Sequence, residues 1–466
     1  MMKVTTKKIV YSLAYCILLV ILWFLADQKN LELQFNILTV FSFVSLGLFF
    51  ASRSEKSVSF TTFFVIFLYI YNFGQVWLKC FNYEFERTSF LITNYSLESI
   101  NMAVLYFLAI MCFFQLFLIF FEGEEKKENA ISVNNANVVN SSYDAALKQT
   151  TAIFYFACLI VITYNDMVQI TTSMLVGYQH SYRLGRDNPL IYFMLNIFPF
   201  LVGLGLFLFD GRRKKFIMIH AAARSVIMML LVGNRGMYIA TICMVFMAQS
   251  AGVESKKKKG HLFQTVMLSL FLVVIAGYVA DIRNLTSGRI GIAEYLRSSN
   301  IICEVLQELG GTMVNMVLLV KNVPQKLNWG YGVSYIGAFI QFIPKLSSIF
   351  PEFCKYNSIG DLLNNSLFEK GSGMGGSFIG ELYLNFGWFA IFVLPFFAKI
   401  INVIEENIRS NNGSPLKKGI SLYFAYAFFM YVRGNFSEFA VYARYTCYFL
   451  IVYYIMGIFV NKKRRI

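Results

Sequence analysis

The feature that most restricts how this chain can fold is a succession of apolar runs, each roughly 15 to 25 residues long, the length a helix needs to cross a bilayer core. They fall at 9–26, 34–51, 58–78, 99–121, 150–165, 189–209, 216–232, 237–251, 262–280, 377–401, 419–432 and 438–460. In hydrocarbon every backbone N–H and C=O must be satisfied within its own segment, so such runs read as helices. The expectation is an all-α polytopic integral membrane protein of about twelve transmembrane helices, forming a single membrane domain over 1–466. A composition 57% hydrophobic and only 14% charged excludes an ordinary soluble enzyme. The first run follows Lys3, Lys7 and Lys8, but it is too long for a signal peptide and has no small-residue cleavage site, so it reads as a span.

A net charge of +15 would suit a nucleic-acid binder if the cations were spread over one surface. They are not. They cluster in SRSEK (52–56), EGEEKKENA (122–130), DGRRKK (210–215), ESKKKKG (254–260), the 405–418 connector and the tail NKKRRI. Alternating spans put all of these on one side, and the positive-inside rule makes that side cytoplasmic, with both termini. Nucleic acid is therefore not an expected partner; membrane lipids are. The 122–149 segment, rich in Glu, Lys, Asn and Ser, reads as a flexible cytoplasmic loop. On the other side lie 79–98, 166–188, GNRG (233–236), a large extracytoplasmic loop at 281–376, and RGNFSE (433–438). The large loop is apolar near 292–320 and 331–350. These stretches are either a further pair of spans or, as Glu304, Glu308, Asn315, Pro344 and Lys345 favour, amphipathic or re-entrant segments at the interface. The eight cysteines show no CxxC and no Cys/His spacing suited to zinc; Cys303 and Cys354 share the large loop, and their pairing stays open.

Chemistry is expected around GSGMGGSFIGELYLNFGW at 371–388. Five glycines between 371 and 380, Gly375 and Gly376 among them, let the backbone bend and approach a ligand closely. A helix then starts with Ser377 or Gly376 as N-cap, and its free N–H groups favour an anion. Glu381 lies one turn in, and Asn385 shares its face. A carboxylate within an apolar run marks a site by default. Either Glu381 faces a polar cavity at the outer surface, or it pairs with an arginine to hold two helices together.

Arginines collect at the outer ends of the spans. Arg235 stands in GNRG, with Arg224 mid-span on nearly the same face, which implies a polar lumen or an anion unless Arg235 only snorkels to headgroups. HSYRLGRDNP supplies His180, Arg183, Arg186 and Asp187; two arginines three residues apart can grip a diphosphate through bidentate hydrogen bonds, or else Arg pairs with Asp within a surface loop. Arg283 and Arg289 follow in DIRNLTSGR, and Arg433, Glu438 and Arg444 bracket the last outer turn. Arg444, inside its span, needs a partner, with Glu438 or Glu381 the nearest acids by this reading. No Walker A, GxSxG or HExxH is present, so neither nucleotide nor metal is expected and no cofactor is implied.

Four segments in order resemble the Wzy-type oligosaccharide repeat unit polymerases of O-antigen and capsule synthesis: GNRG (233–236), YGVSYIGAFIQFIPK (331–345), GGSFIGELYLNFG (375–387) and RGNF (433–436). The similarity covers mainly 230–440 and departs where Pro344–Lys345 is followed by Phe350–Pro351. It implies a glycosyltransferase C-like (GT-C) fold in the bacterial inner membrane. It also implies a metal-independent transfer, at the outer face, of a growing glycan from undecaprenyl diphosphate onto the next lipid-linked repeat. The arginines would hold the diphosphates and Glu381, with His180 second, would take the proton. A flippase and a chain-length regulator are the partners implied. An O-antigen ligase using the same donor is the nearest alternative, and a lipid-linked oligosaccharide flippase the alternative of another class.

Overall fold

The computed structural model describes residues 2–53, 59–81, 83, 95–122, 140–176, 188–233, 236–251, 300–367, 375–410 and 413–463. Every regular element among them is helical. The first eight are α1 (Met2–Ala26), α2 (Leu31–Ser52), α3 (Phe60–Cys80), α4 (Leu97–Phe120), α5 (Asn140–Leu175), α6 (Pro189–Leu208), α7 (Gly211–Val232) and α8 (Gly236–Ser250). Then come α9 (Ile301–Leu309), a 3-10 turn at Gly310–Thr312, α10 (Met313–Asn322), α11 (Val333–Phe342), two single-turn helices, and α12 (Ile359–Leu367). The chain ends with α13 (Phe378–Phe386), a 3-10 stretch at Gly387–Phe392, α14 (Leu394–Arg409), α15 (Pro415–Tyr431) and α16 (Ser437–Lys463).

Local chemistry sets many of the starts. Asn30, Ser59, Ser96 and Ser377 each accept a hydrogen bond from the backbone N–H three residues on, satisfying a donor the helix cannot. Asn188 does the same for α6, with Pro189 at the first helical position. At the end of α7, Gly233 closes the helix at φ +83°, a left-handed conformation that glycine adopts without strain.

Nine described helices are long and apolar enough to cross a membrane, or ten if the bent pair Phe378–Phe392 and Leu394–Arg409 counts as one. Among the described residues the count falls short of the expected twelve. Gly236–Ser250 has 15 residues and Pro415–Tyr431 has 17, short of the roughly 20 a straight span needs. The run 262–280 lies outside the described residues. The run 377–401 is not straight: its two helices meet at 88°. In the large loop, Ile302–Asn322 has the length and apolar character of a span, which favours a further span there over the interfacial segment. Helix α5 also runs past 165 to Leu175, which puts Asp166 inside a helix rather than in a loop. All eight cysteines are free, Cys303 and Cys354 included.

The chain divides into two compact units. The first comprises Met1–Glu122, Ser255–Glu405 and Phe428–Phe439. Its centre is α3, packed against α9 at a glycine crossing: a Cβ on Gly310 would lie 2.3 Å from the backbone nitrogen of Gln75 and 2.6 Å from the Cα of Gly74. Small residues let membrane helices approach this closely. Gly310→Ala is accordingly expected to cost about 1–3 kcal/mol, read as a lowered unfolding temperature of the purified protein; an unchanged value would mean the helices part freely. At one end of this unit, buried Arg53 donates through Nη2 to both oxygens of Glu405, each at 3.1 Å. Glu405 also accepts from the N–H of Thr61 at 3.1 Å, so the carboxylate caps the start of α3. The Lys8 ammonium reaches the carbonyl of Glu122. The segments so joined are ones that alternation places on a single side.

The second unit comprises Gly123–Glu254, Glu406–Ala427 and Ala440–Ile466. Helix α15 lies on α6, where a Cβ on Gly419 would meet the Leu204 Cα at 2.8 Å, and the Tyr423 hydroxyl donates to the Asn196 carbonyl. Arg224 of α7 is buried against α5, its Nε 2.6 Å and Nη2 2.9 Å from the two oxygens of Asp166. The guanidinium also stands over the rings of Phe198 and Tyr238, favourable for a desolvated cation.

Candidate active site

Within the first unit, Glu381 lies in the first turn of α13, deep in the packing. One turn earlier Phe378 meets Phe64 at 5.7 Å, Phe114 at 5.8 Å and Phe397 at 5.3 Å, ring to ring. A carboxylate there needs donors, and it has them. The Ser334 hydroxyl donates to Oε1 at 2.5 Å, and the Phe436 N–H donates to Oε2 at 2.8 Å. The Tyr431 hydroxyl stands beside the same group and 3.4 Å from that of Tyr335. Asn385, one turn on, donates to the Ser334 oxygen at 2.8 Å and to the Glu381 carbonyl at 2.8 Å. The shared face read from the sequence is therefore real, and Ser334 bridges it. Glu381 and Ser334 are fully buried, so in this conformation the carboxylate does not open onto an outer cavity. Among the described residues no arginine pairs with it.

Two of the glycines have a different use from the one expected. A Cβ on Gly376 would lie 2.0 Å from the Gly434 carbonyl, and one on Gly375 would lie 2.9 Å from that of Arg433. The two backbones are pressed together, and only glycine permits it. Asn315 of α10 donates to the Gly375 carbonyl at 2.7 Å, and Asn435 accepts from the Ile359 N–H at 2.9 Å. The RGNF turn is thus fixed to the start of α13 and α12, and it leaves Arg433 exposed, with its guanidinium outside any ion pair among the described residues.

The structure accordingly brings Glu381, Asn385, Gly375, Gly376, Arg433 and Glu438 into the first unit, where a Cβ on Gly434 would meet Glu438 Oε1 at 2.8 Å. Arg224 and Arg444 belong to the second unit. The anion that Arg224 meets is Asp166, and Arg444 lies over the ring of Tyr445 at 5.3 Å. His180, Arg183, Arg186, Arg235, Arg283 and Arg289 lie outside the described residues. Sequence reasoning missed Ser334, Tyr335 and Tyr431. Ser334 and Tyr335 stand within the YGVSY segment, uncharged among apolar neighbours, and Tyr431 is one aromatic in a run of them; only their gathering around a carboxylate marks them.

A helical, multi-pass membrane protein with a buried carboxylate tied to an arginine-bearing turn is the class these features define. A protein-family model described as O-antigen polysaccharide polymerase Wzy matches residues 9–464, nearly the whole chain, and the chain belongs to that family. No curated protein and no solved structure matches it.

Proposed function

We propose that this polymerase moves a glycan from undecaprenyl diphosphate to the free sugar hydroxyl of a second lipid-linked repeat unit, without metal, at the outer face of the bacterial inner membrane, with both chain ends in the cytoplasm. The acceptor oxygen forms a bond to the anomeric carbon, and the bond to the diphosphate breaks with its electron pair left on the diphosphate. The acceptor proton passes to Glu381. Arg433 stabilises the charge that develops on the leaving oxygen, joined by Arg283 and Arg289. His180 is the alternative base. A flippase supplies the repeats and a chain-length regulator sets the product.

The observation that carries this reading is the joint between acid and cation: the turn that exposes Arg433 also gives its Phe436 N–H to Glu381. Since Glu381 is closed off when that bond is made, a diphosphate drawn to Arg433 shifts the turn and frees an oxygen for the acceptor hydroxyl. Binding and proton removal then share one moving part.

An in vitro assay with a lipid-linked repeat unit, scored as a ladder, tests it. Arg433→Ala should raise the donor KM about tenfold, in line with loss of a charge-assisted contact, and Arg433→Lys should restore part of it. An unchanged KM would remove Arg433 from the donor site. Transfer to a lipid A core acceptor in place of ladder formation would favour ligase chemistry instead.

A further inference from the structure

Unit two contains a second polar feature that the proposed reaction does not use. At the junction of α6 and α7, a cavity of about 380 Å³ is lined by Lys148, Leu208, Phe209, Asp210, Arg212 and Arg213. That volume falls in the range of small-ligand pockets. Three cations face it against one acid, and Asp210 makes no capping bond to α7 through its side chain. The site is thus charged for an anion.

What lies beyond the cavity identifies the kind of anion. On α7, Arg212 is followed at helical spacing by Phe216 and Ile219, which are 55% and 60% exposed. On α5, Lys148 is followed in steps of four by Ala152, Phe156 and Ile160, the last two 65% and 56% exposed. Residues so spaced lie along one face of each helix. The two helices pack side by side here, with the Tyr155 and Phe216 rings 6.5 Å apart and the Tyr155 hydroxyl 2.8 Å from His220 Nδ1. A basic mouth therefore continues into two apolar stripes. A free inorganic ion would use the mouth alone; a molecule with a phosphate head and acyl chains would use both.

We propose that this cavity binds an anionic phospholipid, its headgroup phosphate held by Lys148, Arg212 and Arg213 and its chains laid along α5 and α7. Basic pockets at the membrane boundary bind such headgroups, and the chains would lie along the exposed apolar faces of α5 and α7. The proposal is independent of the donor chemistry, because none of these residues belongs to the machinery proposed above.

The test uses the full-length protein in detergent, titrated with a short-chain phosphatidylglycerol, a short-chain phosphatidylcholine or inorganic phosphate. Binding is read from the concentration dependence of the unfolding temperature. Phosphatidylglycerol is expected to raise it saturably, with phosphatidylcholine and phosphate nearly inert. Lys148→Gln with Arg212→Gln and Arg213→Gln should weaken the affinity about a hundredfold, and Arg213→Gln alone about fivefold; the single exposed change serves if the triple variant does not accumulate. Equal effects of phosphatidylcholine, an equal effect of phosphate alone, or full affinity in the variants would each overturn the assignment. Ladder formation by Arg213→Gln at saturating donor should stay within twofold of wild type, which separates this site from the polymerase site.

Discussion

Cells whose only copy carries Glu381→Gln are expected to display single repeat units and almost no long chains, with the protein present in the membrane at its normal amount. Glutamine has nearly the same shape. Its oxygen still accepts from the Phe436 N–H, and its amide faces the Ser334 oxygen, so the cage that holds the side chain stays filled. What it lacks is the capacity to take a proton. Loss of a general base slows a reaction by about 10² to 10⁴, enough to empty a ladder. Ser334→Ala, which removes one donor but leaves the carboxylate, should act more mildly, by about tenfold for one neutral hydrogen bond to a charged group. Immunoblotting of the membrane fraction alongside gel analysis of surface glycan reads both. A ladder of ordinary length from Glu381→Gln would end its role as base and leave it as a strut for the turn that presents Arg433.

The second large effect concerns stability. Arg224→Ala leaves Asp166 buried with no counter-charge, and breaking a buried pair in this way costs about 3–5 kcal/mol. Arg224→Met combined with Asp166→Leu removes both charges and restores packing, so it should lie within about 1 kcal/mol of wild type or above it. Thermal unfolding of purified protein separates the two cases. If the single variant were as stable as the double, the pair would be water-filled rather than desolvated, and the contacts of the guanidinium with Phe198 and Tyr238 would carry little.

These two sites differ in how far the sequence announced them. Glu381 and Asn385 were legible because a carboxylate in an apolar run is conspicuous and a spacing of four fixes the shared face. Ser377 as a cap was legible for the same local reason. Ser334 was not, since a hydroxyl becomes important only when a segment 47 positions away in the chain folds onto it. Asp166 was hidden by a boundary: the apolar run stops at 165, whereas the helix continues for ten more residues, and the acid within it is paired with Arg224. Gly375 and Gly376 show a subtler loss. Their freedom was evident, but whether that freedom serves a ligand or another backbone depends on which loop comes near, and here it is the RGNF turn. The apolar runs themselves were legible, but not which of their helices are short or bent, because hydropathy reports how apolar a run is and not whether it is straight.

The clasp of Arg53, Thr61 and Glu405 bears on how the protein is made. Its acid follows its arginine by 352 positions, so at about 5–20 residues per second the ribosome needs roughly 20 to 70 seconds to deliver the one after the other. Throughout that interval the nascent α2 and α3 sit in the bilayer with a cation and a helix terminus awaiting a counter-ion. Polypeptides released before position 405 should therefore be selectively cleared by membrane quality-control proteases, while those released soon after it persist.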